Sequence, residues 1–380
     1  MSRLISLSLL VVLLLAGSEA AAAAPIVPET VLAGRDSTWE ASQFVQADRG
    51  GRVFFFRGDT LSVYPLTKEG AFGKPVKLQA TPGGGGEMAL RAALSPDGDR
   101  WLVYAPFSVR LFVDGEEKPL PDLEWNPWGV GFLRDTPVVA VIPRPMAHNR
   151  DWSKPLDVPW LVTLAGDRWN SLTTLKSVPV GKLMKNGGMN GAIAENAVYL
   201  KSDREGKLWA ARQYAYRVQR LSPTGRVLTE MTVGGGAVAE KGKESKGIEI
   251  KLHSATENPT EATHDAREEK ATSHAFTAQQ VVLDLAEGTD RRLYLLVRLP
   301  DGGAALDRFD PSTSVLERIS LQLKASGTFT IAAGRDGLYI AAFKGDGGRW
   351  RLSWSSLEQV RWKPVESAEI DDGGPAQAGR

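Results

Sequence analysis

Cysteine is absent from all 380 residues, which excludes disulfides, a lipidated amino-terminal cysteine and every thiolate metal site. Histidine is scarce as well: four copies give imidazole catalysis and imidazole metal ligation few starting points. Neither sign of charge dominates, since 46 Lys plus Arg face 45 Asp plus Glu for a net +1. No long-range field draws the whole chain to a polyanion and no dense Arg/Lys run seeds a local one, so nucleic acid is not an expected partner. Convincing amphipathic helices are missing too, and short extended runs stand in their place.

What is there begins with Arg3 as the only early charge, an apolar run from Leu4 to Gly17, then Ser18, Glu19 and alanines up to Pro25. A basic start, an apolar stretch and small residues read as a secretory signal over residues 1–24, with cleavage nearer Ala20 because Pro25 directly after the cut is unfavourable. The run falls short of the roughly 20 residues that span a bilayer. The expected product is a soluble monomer, periplasmic or extracellular, with a lead-in over 25–40, one domain over 41–365 and a polar tail over 366–380.

The interior is built of strand-and-turn units. Gly51 to Leu66 reads as two strands around Gly58-Asp59, and Arg91 to Pro121 repeats the theme with turns at Pro96-Asp97-Gly98 and Asp114-Gly115. Asp-Gly signals a turn because glycine accepts positive φ and Asp bonds its own backbone. Further units run from Gly129 to Leu175, Asn196 to Met231, Val281 to Leu321 and Gly327 to Trp362. In the fourth, "YRVQRLSPTGRV" (Tyr216 to Val227) joins an imperfectly alternating strand to a Ser-Pro-Thr-Gly turn and an outer strand. A strand covered on both sides by neighbouring sheets needs apolar residues on both faces, which blurs the alternation. Equivalent turns recur at Thr67 to Gly70, Ser222 to Gly225, Asp310 to Ser314 and Ser355. The period of 45 to 52 residues that these turns give suits a four-stranded propeller blade. The expectation is an all-β, six-bladed β-propeller, with five or seven blades as alternatives because the boundaries around Pro121 to Asn170 are indistinct. Thr38 to Val45 is expected to close the last blade, covering an open edge.

"LSPTGRV" resembles the turns of NHL-type repeats, and "ALSPDGDRWLVY" resembles the TolB-type propeller repeat. Both resemblances imply a six-bladed ring. The sialidase Asp-box is not matched, because the glycine of "SPDGDRW" stands one position early and the segment does not recur in register.

Chemistry is sparse. There is no G-x-S-x-G elbow, Walker loop or dinucleotide fingerprint, and Thr81 to Met88 is a glycine-rich connection rather than a phosphate cradle. His148 has Asp151 nearby but no nucleophile. His253, His264 and His274 match no compact metal signature, so neither metal nor cofactor is expected. Asp203, Glu205, Asp301, Asp307, Asp310, Asp336 and Asp346 lie in or beside turns, and two of them meeting across a channel would suit glycoside-type hydrolysis. Trp101, Trp160, Trp209, Trp350 and Trp354 are expected to pack between blades, whereas Trp39, Trp125, Trp128 and Trp152 are nearer loops. The leading reading is an extracytoplasmic binding or scaffolding propeller for a cell-envelope protein, peptide or glycan. The alternative is a lactonase-like or carbohydrate-cleaving hydrolase. Met184 to Glu195 supplies glycines for close backbone approach and the amides of Asn186 and Asn190. With Arg212, Tyr214 and Asp336 these form the expected binding group.

Ala239 to Ala275 carries eight acidic and six basic residues and little aliphatic content, the composition of a solvated excursion. Replacing it with a short Gly/Ser connection is expected to leave a single cooperative thermal transition, because loop-closure entropy rises slowly with length. Loss of cooperativity would make it part of the packing.

Overall fold

The computed structural model describes residues 29–32, 43–58, 60–66, 72–80, 91–105, 108–142, 156–178, 197–233, 281–324, 328–335, 337–344, 349–357, 360–365 and 368–371. Residues 1–24, read as a secretory signal, and His148, Asn186, Asn190, Asp336, Asp346 and the 239–275 insertion lie outside them.

The strands, all antiparallel to their neighbours, fall into six sheets. Strand β1 (Glu29–Leu32) precedes the first of them. Sheet one contains β2 (Gln43–Ala47), β3 (Val53–Arg57), β4 (Ser62–Pro65) and β5 (Val76–Lys77); sheet two contains β6 (Arg91–Leu94), β7 (Arg100–Ala105), β8 (Ser108–Val113) and β9 (Glu116–Lys118). Sheet three contains β10 (Asn126–Leu133), β11 (Thr136–Ile142), β12 (Leu156–Ala165) and β13 (Arg168–Val178). Sheet four contains β14 (Val198–Ser202), β15 (Leu208–Arg212), β16 (Arg217–Leu221) and β17 (Val227–Val233). Sheet five contains β18 (Val282–Glu287), β19 (Leu293–Arg298), β20 (Gly303–Asp310) and β21 (Val315–Lys324). Sheet six contains β22 (Thr328–Ala333), β23 (Leu338–Lys344) and β24 (Arg349–Ser355). An isolated bridge pairs Gln79, just beyond β5, with Glu116 of β9.

The core explains the ring. The buried apolar side chains form six clusters, each shared by two neighbouring sheets, and the last joins sheet six back to sheet one through Ala332, Tyr339 and Ala341 against Val45, Ala47 and Phe55. Second strands show how one strand serves two interfaces. Leu208 and Ala210 of β15 enter the cluster with sheet three, whereas Trp209 and Ala211 enter the cluster with sheet five. Likewise Leu293 and Leu295 of β19 face sheet four while Tyr294 and Leu296 face sheet six. Successive side chains point to opposite faces, so a strand buried on both reads as a continuous apolar run.

The uniform ring of four-stranded blades that the sequence suggested is corrected in three places. Residues 43–45 belong to β2, the innermost strand of sheet one, rather than to a closing strand. The reason lies in burial on both faces: Phe44 packs toward sheet two and Val45 toward sheet six. Closure instead comes from β1, which pairs with β24 in the register Glu29 to Ser353. Finally, two short strands from the carboxyl-terminal region, β25 (Lys363–Pro364) on β21 and β26 (Ala368–Asp371) on β17, extend sheets five and four to five strands. Residues 368–371 fall in the stretch read as a polar tail, and the added strands cover sheet edges that would otherwise be open.

Local chemistry holds the turns. Gly225 takes φ 77° in the Ser222 turn, where Ser222 Oγ accepts from Arg226 N at 3.1 Å. A Cβ there would come within 2.1 Å of the Leu172 carbonyl oxygen. Asp114 and Gly115 both have positive φ, 51° and 85°, as a two-residue hairpin turn of Asp-Gly type requires. Trp101, Trp160 and Trp209 are buried between sheets, and Trp125 packs against the cluster between sheets two and three. Trp128 lies in β10.

Trp209 sits edge-on to Phe309 at 6.0 Å across the interface of sheets four and five and is 1 % exposed. Trp209→Ala is expected to cost about 3–5 kcal/mol in urea unfolding, as for other large-to-small core changes; a cost below ~1 kcal/mol would show that this interface does not limit stability.

Candidate functional site

Strand order gives the central channel two unlike mouths. At one, the turn mouth, each innermost strand ends and a tight turn leads to the second strand. At the other, the crossover mouth, the innermost strands begin, the second strands end and the connections between sheets pass.

The turn mouth carries a small recess, partly open to solvent, lined among others by Asp48, Lys201, Asp203, Arg204 and Glu287. Turns of one design build it: Gly51 N donates to Asp48 O at 3.0 Å, Gly98 N to Ser95 O at 3.0 Å and Gly206 N to Asp203 O at 3.1 Å. The two aspartates are engaged from within. Asp48 accepts from the backbone and guanidinium of Arg52. Asp203 Oδ1 accepts from Glu205 N at 2.8 Å and Lys207 N at 2.7 Å, and its Oδ2 accepts from Arg220 Nε at 2.7 Å. Lys201 Nζ crosses the channel to donate to Gln46 Oε1 and Ala47 O, both at 3.1 Å. Burial lowers its pKa, while Asp284, Glu287 and Asp48 oppose the shift. Burial first, and the Asp203 charge second, push the Glu287 carboxyl up to about 8, so it holds a proton at neutral pH. Deeper in the channel Asp284 is pushed up to about 6, chiefly by burial and against the pull of Arg91; its Oδ2 accepts from Ile331 N at 2.8 Å.

The crossover mouth is cationic and aromatic. Arg91 opens β6 and lays its guanidinium over the Tyr199 ring at 4.0 Å. Burial raises Tyr199 to about 12, with Arg91 opposing and Asp284 and Tyr214 adding to the rise. Arg298 closes β19; burial lowers its pKa, and the opposing groups are the phenols Tyr199 and Tyr214. Arg212 closes β15 with its guanidinium 5.1 Å from the Trp160 ring centre. The corner beyond it is fixed to sheet five, because Gln213 O accepts from Val281 N at 2.7 Å and Val282 N at 3.1 Å.

Of the expected binding group, Arg212 and Tyr214 therefore stand at the crossover mouth. Asn186, Asn190 and Asp336 are outside the described residues, and the neighbours of Asp336, Arg335 and Gly337, belong to the β22–β23 turn at the opposite mouth. Among the turn acids, Asp203 lines the recess, while Asp307 is buried under Tyr216 and Arg318 and Asp310 is held by Arg292 and Ser312. Sequence reasoning missed Asp48, Lys201 and Glu287 at one mouth and Arg91, Tyr199 and Arg298 at the other. One signal was available: β3, β15, β19 and β23 all end on a basic residue, Arg57, Arg212, Arg298 and Lys344.

No family model matches the chain and no curated protein matches it in sequence. Among solved structures, the WD40 repeats of RRP9 are 12% identical, with 87% of this chain and 98% of that one covered and a TM-score of 0.45. Virginiamycin B lyase from Staphylococcus aureus is 10% identical over 87% and 99%, with a TM-score of 0.42. TolB from Acinetobacter baumannii is 10% identical over 86% and 65%, with a TM-score of 0.39. Similarity at this level is one of fold and transfers no chemistry.

Glu287 makes stability depend on pH in a defined direction. Its pKa rises from 4.5 in the unfolded chain to about 8 in the fold, so between those values the unfolded chain releases a proton that the folded state keeps. The stability contribution present below pH 4.5 is then lost progressively up to about pH 8 and changes no further above it. The difference in Tm between Glu287→Gln and the wild type is expected to grow across that window and then level off. A difference that is flat with pH would exclude Glu287 as the titrating group.

Proposed function

We propose that this chain is an extracytoplasmic binding propeller that takes a protein, peptide or glycan partner at its crossover mouth. Export rests on the signal-like residues 1–24. Among the described residues no helix is long and apolar enough to cross a membrane.

One observation carries the reading. The crossover mouth gathers cationic and aromatic side chains from different sheets, Arg91, Tyr199, Arg212, Tyr214 and Arg298, and neither Arg91 nor Arg298 is used in an ion pair among the described residues. Aromatic and arginine side chains of this kind anchor interfaces because they bury large area with few rotatable bonds or fork onto polar partners. The hydrolase alternative would have to work from the turn-mouth recess. There Asp48 and Asp203 are engaged by Arg52 and Arg220, which leaves Glu287 without a second uncommitted carboxylate for a two-carboxylate mechanism.

The test is a screen of purified protein against cell-envelope glycans, peptides and proteins, followed by titration of each hit. Arg212→Ala and Tyr214→Ala are expected to weaken binding at least tenfold, whereas the exposed rim variant Arg226→Ala binds as the wild type does. A partner that maps to the rim, or binds folded Arg212→Ala and Tyr214→Ala with unchanged affinity, would overturn the proposal.

A further inference from the structure

The arginines of this fold are, as a rule, consumed internally. Arg110 forks onto Glu117 with Nε–Oε1 at 2.8 Å and Nη2–Oε2 at 2.7 Å. Arg318 forks onto Asp307 at 2.6 and 2.8 Å, Arg308 pairs with Glu317, and Arg220 with Asp203. Arg91 and Arg298 break the pattern. Both are half-buried, yet neither lies within ion-pair distance of a carboxylate among the described residues. They come from sheets two and five, on opposite sides of the ring; Arg91 lies over the Tyr199 ring at 4.0 Å, and the phenols of Tyr199 and Tyr214 act on Arg298.

Taking a guanidinium partly out of water without a counter-charge is costly unless something else supplies the charge. Asp284 is within electrostatic reach of Arg91, but its Oδ2 is occupied by Ile331 N and it makes no ion pair with the arginine. The Nε of Arg298 is buried without a hydrogen-bond partner. The Arg91 guanidinium lies over the Tyr199 ring and hydrogen-bonds the Tyr199 side chain; a guanidinium carries five N–H donors, so one bond to the phenol leaves others for an oxyanion.

We infer that Arg91, set on Tyr199, and Arg298, at the end of β19, form at the crossover mouth a receptor for an oxyanion group, a carboxylate or a phosphate, on the ligand. The inference rests on reading this mouth as the binding surface and supplies the chemical class of what it takes. Tyr214 and Tyr104 flank the pair and add hydroxyl groups and ring surface; the charge of Arg298 acts on the first and that of Arg91 on the second. The rest of the ligand would be held by the aromatic surface around the charged group.

Sodium acetate and inorganic phosphate, titrated separately at constant ionic strength into the purified protein, test it through the rise in Tm. A saturable rise is expected with at least one probe. Its apparent Kd should weaken at least tenfold in Arg91→Met and in Arg298→Met, saturation should vanish in the double variant, and Arg335→Met at the turn mouth should match the wild type. Saturation by acetate alone assigns a carboxylate-bearing ligand, and saturation by phosphate alone assigns a phosphate. If the methionine variants do not fold, Arg91→Lys and Arg298→Lys keep the charge but lose the fork and should still weaken binding. No saturable response in the wild type, or an unchanged one in the folded variants, overturns the inference. A partner mapped to this mouth with no oxyanion saturation removes the oxyanion site and leaves the binding reading standing. Oxyanion saturation with a partner on the outer rim does the reverse.

Discussion

Everything in this molecule depends on apolar packing between neighbouring sheets. One blade of three or four strands cannot bury both of its faces, and each fully buried large side chain is worth about 1.5–3 kcal/mol, so stability exists only once faces meet. Six clusters do this. Each innermost or second strand therefore carries apolar residues in both directions, as Trp101 and Leu102 of β7 do toward sheets one and three. Close approach is part of the same constraint. Gly131 of β10 lies so near sheet four that a Cβ would stand 2.7 Å from that of Leu200. With no cysteine in the chain, these contacts take the place of covalent closure, helped by β1 on β24 and by buried polar ties such as Tyr216 Oη donating to Asp307 Oδ2 at 2.5 Å.

The ring also makes the two channel mouths chemically unlike. At the turn mouth the chain reverses within a few residues, and the polar side chains there are needed to satisfy the reversing backbone. Asp203 shows this, with one carboxylate oxygen on two backbone N–H groups and the other on Arg220. At the crossover mouth the corner at Gln213 is held by main-chain atoms. Arg91 and Arg298 make no ion pair among the described residues. At the turn mouth Asp48 and Asp203 are engaged by Arg52 and Arg220.

Much of the local structure could be read directly. The Asp114-Gly115 and Ser222-to-Gly225 turns occur where their residues direct, because a glycine at positive φ and a side-chain oxygen bonded to nearby backbone act within four or five residues. The strand at Tyr216 to Leu221 was recognisable as covered on both faces, and Tyr216 and Val218 do pack toward sheet five while Leu221 packs toward sheet three. Arg212 and Tyr214 were also singled out from the sequence and stand at one mouth, although nothing local distinguished that mouth from the other.

What the sequence determined by itself is the periodic, turn-punctuated all-β chain, because strand patterning and turn chemistry are set by near neighbours. Only the tertiary structure decided which strand closes the ring, where the carboxyl-terminal strands add, and that Arg91 meets Tyr199. Those relations join residues on different sheets and exist only after every interface has formed. Phe44 and Val45 looked equally suited to an edge strand, and burial on both sides placed them on the innermost one. Ring closure is a long-range event, and no local pattern encodes which side chains it brings to the axis.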